Sequence, residues 1–368
     1  MIILHLGDIT RINGRCVPRP DVVIGGSPCQ GVSVAGTRQG FLDARSVLFL
    51  QQIRVIKEIR EVGSSIHGIL PRYMVWENVL GALSTDHGEY FRTVLEETAR
   101  VVEAGCVIPR PPKGKWLPAG CIMGDGWSIA WRVHNSQFWG VAQHRRRLAL
   151  VADFGGFTAP EILFERQGMP GNLEADRAKT AKGSAIISGC ADAEGVNTYP
   201  WVYYVGNGQS NIPETLTSVV GALNCMHDQQ IIMTKEQLRR LTPLECERLQ
   251  GYPDHWTDIG TWYTKDWKPR TSSDRVRYTA LGNSIALPFW KWMLDRLSHQ
   301  FTYTPTMASL FDGIGGFPYI WEQINGKGTC LWASEIDEFA IAVTNARING
   351  GGLNARAMGT SAKAAVTS

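Results

Sequence analysis

The sequence predicts an α/β protein built on a doubly wound parallel sheet, with a second, smaller domain inserted behind its middle. Three observations carry this. Short apolar runs alternate with helical patterns through the first 150 or so residues. The same alternation returns after residue 307. Between the two, from about Asp153 to Ile232, periodicity fades and Gly, Asn, Ser and Thr accumulate. Strand–helix alternation of this kind places helices on both faces of a parallel sheet.

Met1–Leu6 reads as the first strand and ends at Gly7-Asp8-Ile9; Val22-Val23-Ile24 is apolar on both faces and reads as a buried strand. Ser46–Glu61 has helical spacing through Val47, Leu48, Leu50, Ile53, Ile56 and Ile59. Tyr73–Trp76 is a strand ending at Glu77-Asn78-Val79, Gly88–Ala104 is a helix, and Trp127–Val133 and Arg147–Val151 are strands. In the loop-rich middle, Thr198–Tyr204 is a short aromatic piece. Thr234–Leu249 reads as helical, with Thr242-Pro243-x-Glu245 as a capping signal. Leu287–Leu297 is a helix, Met307–Phe311 and Gly328–Ala333 are strands, and helices follow from Phe317 and from Phe339 to Ile348. The chain divides into 1–152 and 275–354 as parts of the main domain, 153–274 as the smaller domain, and a frayed tail at 355–368.

Composition narrows the function classes. Of 368 residues, 44% are hydrophobic and 19% charged, enough for a sizeable core. The net charge of +3 is too mild to argue for nucleic acid alone, and it is compatible with a local basic cleft. No apolar run approaches the ~20 residues of a membrane span, and Met1-Ile2-Ile3-Leu4 carries no basic leader, so a cytoplasmic protein is expected. Eight cysteines are scattered with no Cys-x-x-Cys pair, which fits a reducing compartment and argues against a metal site.

Two turns stand out chemically. Gly25-Gly26-Ser27-Pro28-Cys29-Gln30-Gly31 presents a cysteine at the end of a buried strand, where open α/β sheets place their chemistry. Phe311-Asp312-Gly313-Ile314-Gly315-Gly316 follows a strand and opens a helix, and Glu335 stands at the end of the next strand, about twenty residues on. Glycines let a backbone approach a nucleotide-like ligand, and an acid so placed takes ribose hydroxyls. The turn lacks the Gly-x-Gly-x-x-Gly pattern, which lowers the case for a nicotinamide cofactor.

Together these segments resemble the cytosine-C5 DNA methyltransferases. The resemblance rests on Phe311–Phe317, Ser334-Glu335-Ile336-Asp337, Gly7-Asp8-Ile9, Pro28-Cys29-Gln30 with Gly40-Phe41-x-Asp43-x-Arg45, and Glu77-Asn78-Val79. Gln143–Arg147, Arg240–Pro253 and Gly282-Asn283-Ser284 complete it, so that nearly the whole chain outside 153–232 is covered. The family's usual order puts the cofactor loop first; here it comes last. The resemblance thus implies a Rossmann-like methyltransferase sheet, circularly permuted, in which Met1–Leu6 is an interior strand and the helix 339–348 ends near its start. Ala142 stands where the family usually has proline.

By the same resemblance, Cys29 is the nucleophile that attacks C6 of a cytosine flipped out of the duplex. Glu77 bonds the exocyclic amine and N3, Arg147 holds O2, and Arg145 supports the site by positioning Glu77 or the backbone. Phe311, Gly313, Gly315, Glu335, Ile336, Asp8, Ile9 and Asn283 hold S-adenosylmethionine, with S-adenosylhomocysteine as product and no metal. Pro28, Gln30, Ser33, Arg45, Asn78, Gln143 and Thr215 face the substrate. Residues 153–274 form the target-recognition domain, with Lys265, Lys268, Arg270, Arg275 and Arg277 offered to phosphates. The implied partner is double-stranded DNA, read by a monomer at the nucleoid. The setting is a restriction–modification system with a cognate endonuclease, or an orphan or phage enzyme. The alternatives are the same chemistry on RNA, or a catalytically silent DNA-binding relative.

Overall fold

Val22, Val23 and Ile24 are wholly buried, as a run apolar on both faces requires. They form the second strand of a sheet in a computed structural model that describes residues 2–27, 44–165, 201–203, 215–216, 220–221, 231–233 and 238–350. The main sheet contains β1 (Leu4–His5), β2 (Val22–Gly25), β3 (Tyr73–Asn78), β4 (Ala119–Met123), β5 (Ser128–Asn135), β6 (Arg146–Asp153), β7 (Met307–Leu310) and β8 (Cys330–Ser334). Their order across the sheet is β1-β8-β7-β2-β3-β6-β5-β4. The helices are α1 (Ala44–Glu61), α2 (Glu89–Ala99), α3 (Ala159–Leu163), α4 (Pro243–Gln250), α5 (Asp274–Asn283), α6 (Leu287–Ser298), α7 (Gly316–Asn325) and α8 (Glu338–Arg347).

Strand alternation divides the core into two layers. Val22, Ile24, Tyr73 and Val75 face Phe289 and Trp290 of α6, Phe317 of α7 and Val343 of α8. Val23, Met74 and Trp76 face Ile53 and Ile56 of α1 and Phe91 and Val94 of α2. Helices therefore cover both faces, as the alternation predicts. The sheet itself is mixed rather than parallel. β1, β8, β7, β2 and β3 run parallel, whereas β6, β5 and β4 are antiparallel to their neighbours. The link between β5 and β6 is only residues 136–145; with no crossover helix in it, the two strands pair antiparallel.

Other expectations are corrected. β1 is an edge strand, not an interior one, and pairs only with β8. The helix expected over Thr234–Leu249 begins only at Pro243: Leu238–Arg240 is a strand, antiparallel to Ile231–Met233. Thr242 caps α4 as its sequence predicts. Its hydroxyl accepts from Glu245 N at 3.3 Å, and Glu245 Oε2 accepts from Thr242 N at 2.7 Å. β4 and α5 have no counterpart in the sequence reading; Ala119-Gly120-Cys121 is weak in strand propensity.

Thr215–Leu216, Trp201–Tyr203, Ile231–Met233 and Leu238–Arg240 make a small antiparallel sheet. Val220–Gly221 pairs with Gln143–His144 and so attaches this region to the main domain. Leu241, Cys246, Leu249, Tyr252 and Trp256 belong to the same apolar cluster as α6 and α7.

The two ends of the described chain meet. Asn349 Oδ1 accepts from Ile3 N at 2.8 Å, and Asn349 Nδ2 donates to Ile3 O at 3.3 Å. With β1 only two residues long, this bracket supplies much of its backbone pairing. Replacing Asn349 with alanine is expected to lower stability by about 1–2 kcal/mol. Urea unfolding measures it; an unshifted midpoint would show that β1 is held by its apolar side chains alone.

Candidate functional site

Strand direction gathers the site at one edge of the sheet. Gly25 stands opposite Trp76 and Leu310, and Leu310 opposite Ser334. The turns after β2, β3, β7 and β8 therefore open on the same side, and so does the turn after β1, whose His5 pairs with Ala333. β6 runs the other way, so its beginning, not its end, arrives there.

This brings Glu77, at the end of β3, beside Arg147, at the start of β6. Arg147 Nε lies 3.1 Å from Glu77 Oε1, and the side chains are 16% and 14% exposed. The pair is partly desolvated yet reachable from solvent. Gly26 packs next to it: a Cβ at that position would come within 2.9 Å of Glu77 Oε2 and displace the carboxylate. The carboxylate is thus packed against the turn that leads to Cys29. Ser27 Oγ accepts from Trp76 Nε1 at 3.0 Å and from Asn78 Nδ2 at 3.3 Å, fixing the same turn. His134, register partner of Arg147, is stacked on Phe289 at 3.6 Å between ring centroids. Burial, reinforced by Arg147, Arg132 and Arg145, holds its pKa well below the usual imidazole range. It therefore stays neutral and adds no repulsion to Arg147.

Four residues expected at the substrate, the reacting groups or the phosphates are buried. Arg145 is 1% exposed and donates to the carbonyls of Gly282 and Ser284, the former at 3.1 Å. These two contacts fix the turn carrying Asn283, which is exposed at the end of α5. Asn78 is buried, donates to Ser27 and accepts from Val79 N. Gln143 is fully buried, and its amide has no hydrogen-bond partner among the described residues. Arg277, expected at a phosphate, is buried instead. Its Nε donates to Thr257 Oγ1 at 3.0 Å and its Nη2 to Glu247 Oε1 at 3.2 Å. Pro28, Cys29, Gln30 and Ser33 lie outside the described residues, as do the side chains of Arg45 and Thr215.

The second half of the site is the turn 311–315. Phe311, Gly313 and Gly315 have φ of 55°, 56° and 78°, a left-handed course suited to glycine at the last two. Glu335 clasps the turn: Oε2 accepts from Gly313 N at 2.7 Å, and Oε1 from Ile336 N at 2.7 Å and Asp337 N at 2.8 Å. Two carboxylate oxygens offer about four acceptor positions. Three are filled, and one on Oε2 remains for a hydroxyl. Ile336 is 73% exposed, a large apolar side chain standing at the mouth of the site. Asp8 is exposed after β1, with Oδ1 accepting from Thr10 N and Oγ1, while Ile9 is buried beneath it. Glycine backbone, the Glu335 carboxylate, the exposed side chain of Ile336 and the Asp8 carboxylate, engaged through Oδ1, thus stand at one edge of the sheet. No group of His, Cys, Asp and Glu that could hold a metal ion occurs among the described residues.

Sequence reasoning missed Asp312. It is buried behind the turn, bonded by Ser309 Oγ at 2.5 Å and Thr344 Oγ1 at 3.4 Å. Loss of water pushes its pKa up to about 7, against the two hydroxyl donors and with help from the charge of Glu335. The folded chain therefore keeps a proton, between the ordinary carboxyl value and about pH 7, that the unfolded chain has released. This group's contribution to stability falls as pH rises through that window. Asp312→Asn should flatten the decline. Relative to the variant, the parent should lose on the order of 2 kcal/mol between pH 5 and pH 8, measured by urea unfolding; parallel curves would place Asp312 in water.

A family model described as C-5 cytosine-specific DNA methylase matches residues 3–101 and 171–299, more than half of the chain. The chain is 27% identical to a "DNA N-6-adenine-methyltransferase" of Escherichia phage P1, over 80% of this chain and 55% of that protein. It is 24% identical to the type II methyltransferase M1.ScrFI of Lactococcus lactis subsp. cremoris, over 77% of this chain and 63% of the relative. It thus spans little more than half of each. Among solved structures, the Dnmt2 methyltransferase of S. pombe aligns with a TM-score of 0.42 at 16% identity, covering 77% of this chain and 79% of that one. On the family match and the relatives together, the chain belongs to the C-5 cytosine-specific DNA methylase family.

Proposed function

We propose that this protein methylates C5 of cytosine in double-stranded DNA, using S-adenosylmethionine. The observation that carries the reading is the Glu77–Arg147 pair, packed against the turn that leads into Cys29 and facing the same edge as the Glu335-clasped turn. When bound, the cofactor supplies an electrophilic methyl group on a sulfonium. Gly313, Gly315, Glu335, Ile336, Asp8, Asn283 and Phe311 would hold it. The Cys29 thiolate adds to C6 of a flipped cytosine, and the electron pair displaced to C5 takes the methyl. Glu77 bonds the N3 and exocyclic amine edge, and Arg147, oriented by Glu77, bonds O2 and offsets the charge that builds on the ring. Loss of the C5 proton to water then restores the double bond and expels Cys29.

The strand order supports a circularly permuted chain. Cofactor strand β7 comes from the end of the sequence yet lies inside the sheet between β8 and β2, and Asn349 closes the ends. The region 153–274 serves as the target-recognition part, and its small sheet is tied to the Gln143–Arg147 segment through Val220. RNA is the alternative substrate, and a cognate endonuclease the partner in a restriction–modification setting.

The relative from phage P1 carries a name for adenine N6 transfer. A cysteine nucleophile has no use in that reaction, so the assay must separate the two products. Plasmid DNA treated with labelled S-adenosylmethionine should yield 5-methylcytosine on nucleoside mass spectrometry, at one short motif by bisulfite sequencing. N6-methyladenine, or label in bulk tRNA alone, would replace the proposal. Cys29→Ser should abolish transfer while DNA binding persists. Glu77→Gln, which strips Arg147 of its partner, should lower the rate by about 10² or more; an unchanged rate would remove Glu77 from the chemistry.

A further inference from the structure

The turn that follows α4, residues 251–258, lies against the loop read above as the cofactor site. Trp256 is buried, and its Nε1 donates to the carbonyl of Ile314 at 2.9 Å. Ile314 sits between the two left-handed glycines and is itself buried. The loop thus has two handles of opposite kind: Glu335 accepts from Gly313 N on one side, and Trp256 donates to Ile314 O on the other. Tyr252 adds a third contact. A Cβ on Gly316 would overlap its hydroxyl, which also bonds Ser284 Oγ at 2.5 Å, next to Asn283.

The turn is itself held rigidly. Arg347 Nε donates to Trp256 O at 2.8 Å, and its Nη2 donates to the carbonyls of Asp258, at 2.6 Å, and His255. Glu247 Oε1 accepts from Thr257 N at 2.8 Å and from Arg277. The Trp256 ring is bracketed by Tyr252 at 5.5 Å and Tyr319 at 4.6 Å between centroids. Packing alone would be met by any aromatic ring; the indole N–H is needed only because a loop carbonyl points at it.

We propose that Trp256 is a positioning residue: its indole N–H sets the course of the loop 311–315 for ligand binding, with Arg347 holding the turn in place. The proposal rests on the reading of that loop as the S-adenosylmethionine site. Because α4 and this turn are the continuation of the small sheet's last strand, they join the recognition region directly to the cofactor loop.

The test is Trp256→Phe, which keeps a ring and removes the donor. Leaving a buried carbonyl unpaired should weaken S-adenosylmethionine binding about tenfold or more in calorimetry. KM for the cofactor should rise while kcat stays within about twofold, the mark of lost uniform binding. Amide exchange of the peptide spanning 311–317 should quicken without ligand, with β5 and β6 unchanged. Arg347→Met, which frees the turn but keeps the indole, should move affinity and exchange in the same direction. Wild-type affinity and exchange in Trp256→Phe would overturn the proposal, and so would faster exchange throughout, β5 and β6 included. If the parent protein binds no S-adenosylmethionine, the cofactor reading fails instead, and the exchange comparison alone decides whether Trp256 restrains the loop.

Discussion

The site depends on β3 having neighbours of opposite sense. β2 runs parallel to it and β6 antiparallel. A parallel neighbour delivers its end to the working edge, and an antiparallel neighbour delivers its beginning. The turn after β2 and the first residues of β6 therefore flank Glu77, although they are distant in sequence. Were β6 parallel, Arg147 would stand at the far edge, about a strand length or some 25 Å away. The mixed sheet is thus a condition of the Glu77–Arg147 pair. The partial exposure of that pair also matters: enough water is excluded to strengthen its field, and enough access remains for a base to replace solvent.

The loop after β7 obeys a different constraint. A left-handed turn leaves amides and carbonyls facing inward without helical partners, and each must be answered. Glu335 answers Gly313, Trp256 answers Ile314, and Asp312 N reaches the carbonyl of Ser334. Asp312 carries its acid into the interior, where a proton is cheaper to keep than a charge is to bury. Two carboxyls so close would repel if both were ionised. The raised pKa of Asp312 relieves that repulsion.

Much of this was legible in the sequence, for identifiable reasons. Buried strands such as Val22–Ile24 and Tyr73–Trp76 announce themselves as continuous apolar runs, and the Thr242–Glu245 box marks a helix start to the residue. Spacing from the glycine turn pointed to Glu335, and the family resemblance pointed to Glu77 and Arg147. Strand direction was not legible, because periodicity is the same for parallel and antiparallel strands. Nor was the allocation of neighbouring polar residues. Arg145 and Arg147 are the same residue type two positions apart at the entry to β6, yet one holds the turn carrying Asn283 and the other pairs with Glu77. Asn78 and Gln143 read as functional from the family motifs they stand in, and Arg277 from its basic neighbours; their burial carried no signal in the sequence. Trp256 carried no local signal, since its partner Ile314 lies 58 residues away.

The order of strands also shapes how such a chain can fold. β2 and β3 are made early and pair with each other, but β2's other neighbour, β7, arrives only with the last part of the chain. Asp21 bonds Thr306 across 285 residues through its carboxylate, and the pairing of Leu4 with Trp332 closes a larger loop still. Among the described residues β1 pairs with β8 alone, so its pairing must wait for that late stretch of chain. Such long-range pairing carries the entropy of loop closure before its contacts repay it. The pairings of β2 with β3, β3 with β6 and β6 with β5 need no late residue, although the other edge of β2 does. The Glu77–Arg147 pair lies wholly within those strands, and the 311–315 loop lies wholly outside them. The two parts of the site are therefore assembled by separate stretches of chain, and they meet only where β7 docks against β2.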